Sequence, residues 1–141
     1  MYRELIKTQE EAVSHLFIHC CYGNGRFTDE ELDAISEKLV ALKLHKDLNF
    51  KDEVKKYTSY TGNLGNEADY IGYLVSLIMP VNELALFSYC AELCISDSVI
   101  DITEEQLLLN LGNALAIKAE DQAVIQKLAV QRYLVFTQKY F

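Results

Sequence analysis

The feature that most constrains the fold is a polar loop followed by a helix start, and it occurs twice in the chain. The first copy spans residues 23–42 and the second spans residues 96–117. Within them, the segment 28–32 (TDEEL) aligns with the segment 103–107 (TEEQL), 75 residues further on. The repetition predicts two related halves, each built around a loop that leads into a helix.

Both copies carry the pattern of a helix N-terminus. Thr28 and Thr103 suit the N-cap position, where the hydroxyl accepts a hydrogen bond from an unpaired backbone N–H. Glu31 and Gln106 lie three residues further on and can bond back, so each copy predicts a capping box. Thr8 with its following glutamates predicts a third box at the start of the first helix.

Most of the remaining chain is free to be helical, because it contains one proline and six glycines in 141 residues. Strict alternation of apolar and polar residues is absent, so strands are not required. We expect an all-α fold, a single domain of about seven helices built from two related helix-loop-helix halves that pack face to face. The halves cover about 9–60 and 67–130, with the polar segment 58–66 as the linker.

Local signals place several of these helices. Apolar residues recur at helical spacing in 9–22, and Asn66 is a suitable cap for the fourth helix. Pro80 is predicted in the first turn of the fifth helix, where its missing N–H costs little. The sixth helix, which begins after Thr103, is apolar on nearly all sides between Leu107 and Ile117, which predicts the buried centre of the domain. A seventh covers about 119–139.

Charge and hydropathy exclude several classes of protein. The net charge of −8 argues against general binding to nucleic acid or to anionic membranes. The lysine-rich stretch 43–56 is an exception, interpreted as a solvated helix face. No apolar run reaches the roughly 20 residues of a membrane span. Four cysteines without an export signal predict reduced thiols and a cytoplasmic protein.

At the two loop-plus-helix copies, the chain resembles the TerB-like family associated with tellurite resistance. The matching stretches are 24–31 (NGRFTDEE) and 97–106, and the likeness in helix order covers roughly 9–130. Asn24 stands in place of the family's loop acid, and Ser98 in place of its glycine. The resemblance implies an all-helical domain that takes part in stress resistance and binds divalent cations through its acidic loops.

The acidic loops are the first candidate for a binding site. Hard cations such as Ca²⁺ or Mn²⁺ prefer oxygen ligands, which these loops carry, although neither fits the twelve-residue EF-hand spacing. If the halves pack as related units, the two loops lie near one another. The alternative is that the acids only cap helices and solvate loops. The candidate metal ligands are Asp97, Asp101, Glu105, Asn24, Asp29 and Glu31, with Glu30 and Glu104 as further oxygen donors.

A second candidate is a zinc site made by two i,i+4 pairs, His15 with His19 and Cys90 with Cys94. On facing helices they would make a Cys₂His₂ site. The favoured alternative is core cysteines and half-exposed histidines, since cysteine is among the most buried residue types.

No nucleophile elbow, phosphate-binding loop or dinucleotide fingerprint occurs in the sequence, so an enzyme is not expected. The predicted function is a non-enzymatic TerB-like binding or scaffolding module. The alternative is a metal-independent interaction module that binds a partner or a second copy through the C-terminal helix. A third hypothesis is a metal-dependent or thiol enzyme using Cys20 or Cys94. The aromatic residues of the C-terminal helix are Tyr133, Phe136, Tyr140 and Phe141.

Overall fold

The computed structural model describes residues 1–22, 27–95, 102–138 and 141. The prediction of an all-helical fold is confirmed, because these residues form eight α-helices and one short 3₁₀ turn, Thr61–Asn63, without any strand. The helices are α1 (Tyr2–Leu5), α2 (Gln9–Cys21), α3 (Asp29–Ala41), α4 (Phe50–Tyr60), α5 (Glu67–Ile78), α6 (Glu83–Cys94), α7 (Ile102–Ala114) and α8 (Ala119–Thr137).

Helix α2 forms the centre of the domain. It packs against α3, α4, α5 and α6, and its residues from Ala12 to Ile18 are all buried. The expectation that the leucine-rich α7 forms the centre is wrong. Leu107, Leu108 and Leu111 of α7 are buried, but Leu109 is 47 % exposed. Helix α7 packs mainly on α5 and α6, so its outer face is left to solvent.

The predicted N-terminal caps hold for the first copy and its neighbours. Thr8 and Thr28 both form complete capping boxes, with Glu11 and Glu31 as the reciprocal acceptors. Asn66 caps α5 through its side-chain oxygen, as its position before an apolar helix predicts. Short side chains with an oxygen acceptor satisfy a helix N-terminus locally, so these starts are set by sequence alone.

The capping box predicted for the second copy does not form. Helix α7 begins at Ile102, so Thr103 lies inside its first turn rather than at the cap. The Gln106 side chain donates a hydrogen bond to Asn110, one turn further along the helix, at 3.3 Å. The Gln106 side chain thus bonds along the helix, as i,i+4 pairs do, whereas Glu31 in the first copy accepts from the backbone N–H of Thr28.

Pro80 lies in the connection between α5 and α6, so its predicted place in the first turn of a helix is wrong. Met79 ends α5 in the left-handed conformation, with φ 43°. Asn82 then caps α6 by accepting a hydrogen bond from the backbone N–H of Ala85. An asparagine two residues after the proline is the better cap, because its side chain can accept that bond.

Two pairs of consecutive helices have similar spacing along the chain. Helices α2 and α3 begin at residues 9 and 29, and α6 and α7 begin at residues 83 and 102. Helix α2 lies against α6, and α8 packs on α6 from the outside. Within the described ranges, no helix has the length and apolar character needed to cross a membrane.

Candidate functional site

A cavity of about 210 Å³ opens where α2, α4, α5 and α7 meet. Tyr22, which lines it, directly precedes residues 23–26 of the first loop. Thr103 and Glu104, which also line it, lie two and three residues after the end of the second loop, residues 96–101. The flanks of both sequence copies therefore meet at one cavity. The other lining residues are His19, Cys20, Tyr57, Thr61, Leu64, Glu67 and Leu107.

His19 lies at the base of this cavity and is held by both ring nitrogens. Its Nδ1 is 2.7 Å from the Tyr57 hydroxyl, and its Nε2 is 2.9 Å from Glu67 Oε2. The other oxygen of Glu67 accepts a hydrogen bond from Asn110 at 3.0 Å. The tautomer with its proton on Nε2 satisfies every group, since Nδ1 then accepts from Tyr57 and Nε2–H donates to Glu67. This chain of hydrogen bonds connects four helices.

The charges in this chain follow from its contacts. Donation by His19 holds the pKa of Glu67 below its usual value, so the carboxylate is ionised at neutral pH. Burial raises the pKa of Tyr57 well above its usual range, so the phenol keeps its proton. With both nitrogens engaged, the His19 ring positions Glu67 and has no free nitrogen for proton abstraction.

A deeper network of the same kind lies one turn earlier on α2. His15 Nδ1 is 2.7 Å from the Tyr60 hydroxyl, and His15 Nε2 is 2.9 Å from Glu53 Oε1. The second oxygen of Glu53 pairs with Lys56 at 3.2 Å. Burial holds the pKa of His15 below its usual value, although Glu53 acts in the opposite direction. The Tyr60 hydroxyl also contacts the hydroxyl of Tyr70, so the network reaches α5.

The zinc hypothesis is not supported, because the two predicted pairs face different neighbours. His15 and His19 point to tyrosines and glutamates of α4 and α5, whereas Cys90 and Cys94 lie beside the Cys20 thiol. In the described parts of the chain, no three His, Cys, Asp or Glu side chains form a group that could hold a metal ion. The expectation of half-exposed histidines is also wrong. His15 is fully buried, and the His19 side chain is 10 % exposed.

The four cysteines are buried thiols, and none of them forms a disulfide bond among the described residues. The neighbouring Cys90 thiol and burial raise the pKa of Cys20 well above its usual range, against an opposing hydrogen bond with Cys94. Burial, together with the charges of Glu31 and Glu104, raises the pKa of Cys21 to about 12. Both Cys20 and Cys21 are therefore protonated at neutral pH, and the thiolate that a nucleophile requires is not formed.

The predicted metal ligands fall into two groups. Asn24, Asp97 and Asp101 lie outside the described residues. Among the others, Glu31 closes the Thr28 capping box, and Glu105 is exposed. Asp29 lines a groove between α3 and α4, away from the cavity. Glu31 from the first copy and Glu104 from the second both lie near the Cys21 thiol, and the charges of both act on it.

The residues that the sequence did not identify as a group are Tyr57, His19 and Glu67. His19 was noted only for its spacing from His15, and its partners come from α4 and α5. A histidine within an otherwise apolar helix was the one signal available, because a buried imidazole requires polar partners from somewhere in the fold.

Comparisons with protein-family models, with curated proteins and with solved structures found no match for this chain. The resemblance to the TerB-like family thus rests on the two loop-plus-helix segments, and it stays a prediction.

Proposed function

We propose that this chain is a non-enzymatic, TerB-like helical binding module that takes a divalent cation such as Ca²⁺ or Mn²⁺ between its two acidic loops. The observation that carries the proposal is the shared cavity. Tyr22 from the flank of the first loop and Thr103 and Glu104 from the flank of the second line the same space. Loops that leave and enter the helices at one cavity are well placed to supply ligands to one ion.

The chemistry of the cavity favours a cation. Its described lining includes the carboxylates of Glu67 and Glu104 and no lysine or arginine. Hard cations require several oxygen ligands, so these two glutamates would provide only part of a coordination shell. We assign the remainder to the loop residues Asp97, Asp101 and Asn24. Under this proposal the His19–Glu67 hydrogen bond fixes the orientation of one carboxylate, as second-shell partners do in metal sites.

A binding role accords better with the side chains than a catalytic role does. His19 has no free ring nitrogen, and the pKa values of Cys20 and Cys21 are raised. The setting that we propose, tellurite-type stress resistance in the cytoplasm, comes from the family resemblance and from the composition.

Thermal unfolding of chelator-stripped protein, with Ca²⁺, Mn²⁺ or Zn²⁺ added, tests the proposal. A ligand that binds only the folded state at about 100 times its Kd adds about 2.7 kcal/mol of stability. We expect Ca²⁺ or Mn²⁺ to raise Tm by several degrees, and we expect Glu104→Gln and Asp97→Asn to reduce the rise. Glu120→Gln, an equal change at an exposed position on α8, serves as the matched control.

Two results would contradict the cation site. One is a Tm that none of the ions changes. The other is a rise that Glu104→Gln and Asp97→Asn leave as large as in the Glu120→Gln control.

The second candidate function is self-association through α8, and a particular surface favours it. Val124, Leu128 and Val135 are each about half exposed, at 56 %, 49 % and 58 %. With Gln131 between them, they follow the alternating four- and three-residue spacing of a coiled-coil seam. That spacing suits another helix of the same kind, so we propose α8 of a second copy as the occupant.

Sedimentation equilibrium tests self-association. We expect a dimer that Leu128→Glu plus Val135→Glu converts to a monomer, while Glu120→Gln leaves it unchanged. A monomeric wild-type chain at high micromolar concentration would exclude this candidate.

A further inference from the structure

A long groove separates α3 from α4. Both helices pack against α2, but they scarcely touch each other. Between them lies a cavity of about 670 Å³, and a second of about 190 Å³ continues it under the connection that follows α3. Ser36 and Phe50 line both cavities, so the two form one continuous groove. Its space is separate from the cavity at His19.

The floor of the groove is apolar. Leu32 of α3 and Phe50 and Val54 of α4 line its larger part, and all three are partly buried. Leu39 and Leu48 continue the apolar lining into the smaller part. Phe50 and Val54 lie four residues apart and thus on one face of α4, and no helix of the described residues lies over this apolar strip.

The two rims of the groove carry opposite charges. Asp29 and Asp33, one turn apart, line the α3 side, and Lys51 and Lys55, also one turn apart, line the α4 side. All four are exposed. None of them takes part in a salt bridge among the residues that the structure describes, so the rims do not close over the floor.

Lysines of the lysine-rich stretch 43–56 differ in their surroundings: one forms ion pairs, and two line the groove. Lys56 is held by Glu11 at 3.3 Å and by Glu53 at 3.2 Å, and it completes the network around His15. Lys51 and Lys55 instead border the groove. The stretch that the sequence presented as a solvated face therefore includes a charged edge beside an apolar strip.

We propose that this groove binds an amphipathic helix of a partner protein. An amphipathic helix laid in an apolar groove presents anchors at i, i+3 or i+4, and i+7. The opposite rims require basic residues along the edge of that helix that faces α3, and acidic residues along the edge that faces α4. The groove follows α3 from Asp29 to Val40, which at 1.5 Å per residue is about 16 Å, or three helical turns.

The opposite charges of the two rims also fix the direction of the bound helix. Reversing a helix in a groove exchanges its left and right edges while its apolar face stays down. Only one direction then places basic residues against Asp29 and Asp33. Complementary charge thus selects both the partner and its orientation.

Fluorescence anisotropy with three labelled synthetic helices tests the proposal in the presence of a chelator, so that cation binding plays no part. The peptides have about 14 residues and the same leucine anchors, and they differ in their edges: lysine opposite glutamate, lysine on both, or glutamate on both. We expect the mixed-edge peptide to bind most tightly. In the variant Lys51→Glu plus Lys55→Glu, both rims are acidic, and the preference should move by about tenfold to the peptide with lysine on both edges.

The matched control is Lys43→Glu plus Lys46→Glu, which makes the same change in charge at exposed positions that do not line the groove. It should leave the order of the peptides unchanged. Val54→Asp should abolish binding of all three, with circular dichroism confirming that the variant is folded. Absence of binding by the mixed-edge peptide, or a preference that Lys51→Glu plus Lys55→Glu does not move, would overturn the proposal.

Discussion

Burial should decide how much each of the two histidine–glutamate contacts contributes to stability. His15–Glu53 and His19–Glu67 have the same 2.9 Å separation, and both histidines belong to α2. The side chains of the first pair are 0 % and 5 % exposed, whereas those of the second are 10 % and 28 % exposed. Replacing each glutamate by alanine therefore compares one contact in two environments.

The expected costs follow from what each histidine loses. In Glu53→Ala, the Nε2–H of His15 stays buried without an acceptor, and leaving a buried donor unsatisfied after it loses a bond to a carboxylate costs about 3 kcal/mol. In Glu67→Ala, water can reach the vacated position, so the expected cost is about 1 kcal/mol. Glu53→Gln keeps an oxygen that can accept from His15, and it should fall between the two.

Urea unfolding at pH 7 measures the difference. With a slope of about 2 kcal/mol per molar urea, the midpoint should fall by about 1.5 M for Glu53→Ala and by about 0.5 M for Glu67→Ala. Equal shifts, or a larger shift for Glu67→Ala, would refute the reasoning that burial sets the cost.

Three further predictions concern side chains of α2. Burial lowers the pKa of His15 from 6.5, so the unfolded state binds more protons than the folded state does below that pH. The free energy of unfolding should therefore decrease as pH falls below about 6.5. Urea titrations at several pH values should show a smaller decrease in the His15→Gln variant than in the wild-type protein. Within the described structure, the buried Ser14 hydroxyl has no partner, so Ser14→Ala should raise stability by about 1 kcal/mol, and a loss measured in urea would contradict this. Because Cys20 and Cys21 are buried with raised pKa values, iodoacetamide at pH 7.5 should modify them only after unfolding. Mass spectrometry measures the modification, and rapid labelling of the native protein would disprove this prediction.

The helix starts were predictable where one short segment contains all the interacting groups. Thr8, Thr28 and Asn66 each bond to a backbone N–H three residues away, so the sequence alone determines the cap. The predictions from Thr103 and Pro80 were wrong because α7 already includes Thr103 and because α6 begins three residues after Pro80. Asn110 binds Gln106, and an asparagine beyond the proline caps α6.

The candidate site was predictable only in its general location. The two loop copies indicated where polar groups would collect, and their flanks do line one cavity. The partners of His19 were not accessible to the same reasoning, because Tyr57 and Glu67 are 38 and 48 residues away in the chain. Contacts over such separations depend on how α4 and α5 pack on α2, which no local pattern encodes.

The complete burial of α2 from Ala12 to Ile18 has a consequence for which substitutions the protein tolerates and for how its backbone opens to solvent. Most surface helices show a mutational profile with a 3.6-residue period, because one face is exposed to water. From Ala12 to Ile18 no such face exists, so a deep mutational scan should show a continuous intolerant block there. The amide protons of the same block should exchange with deuterium only when the whole domain unfolds, and their exchange rates would then report its global stability.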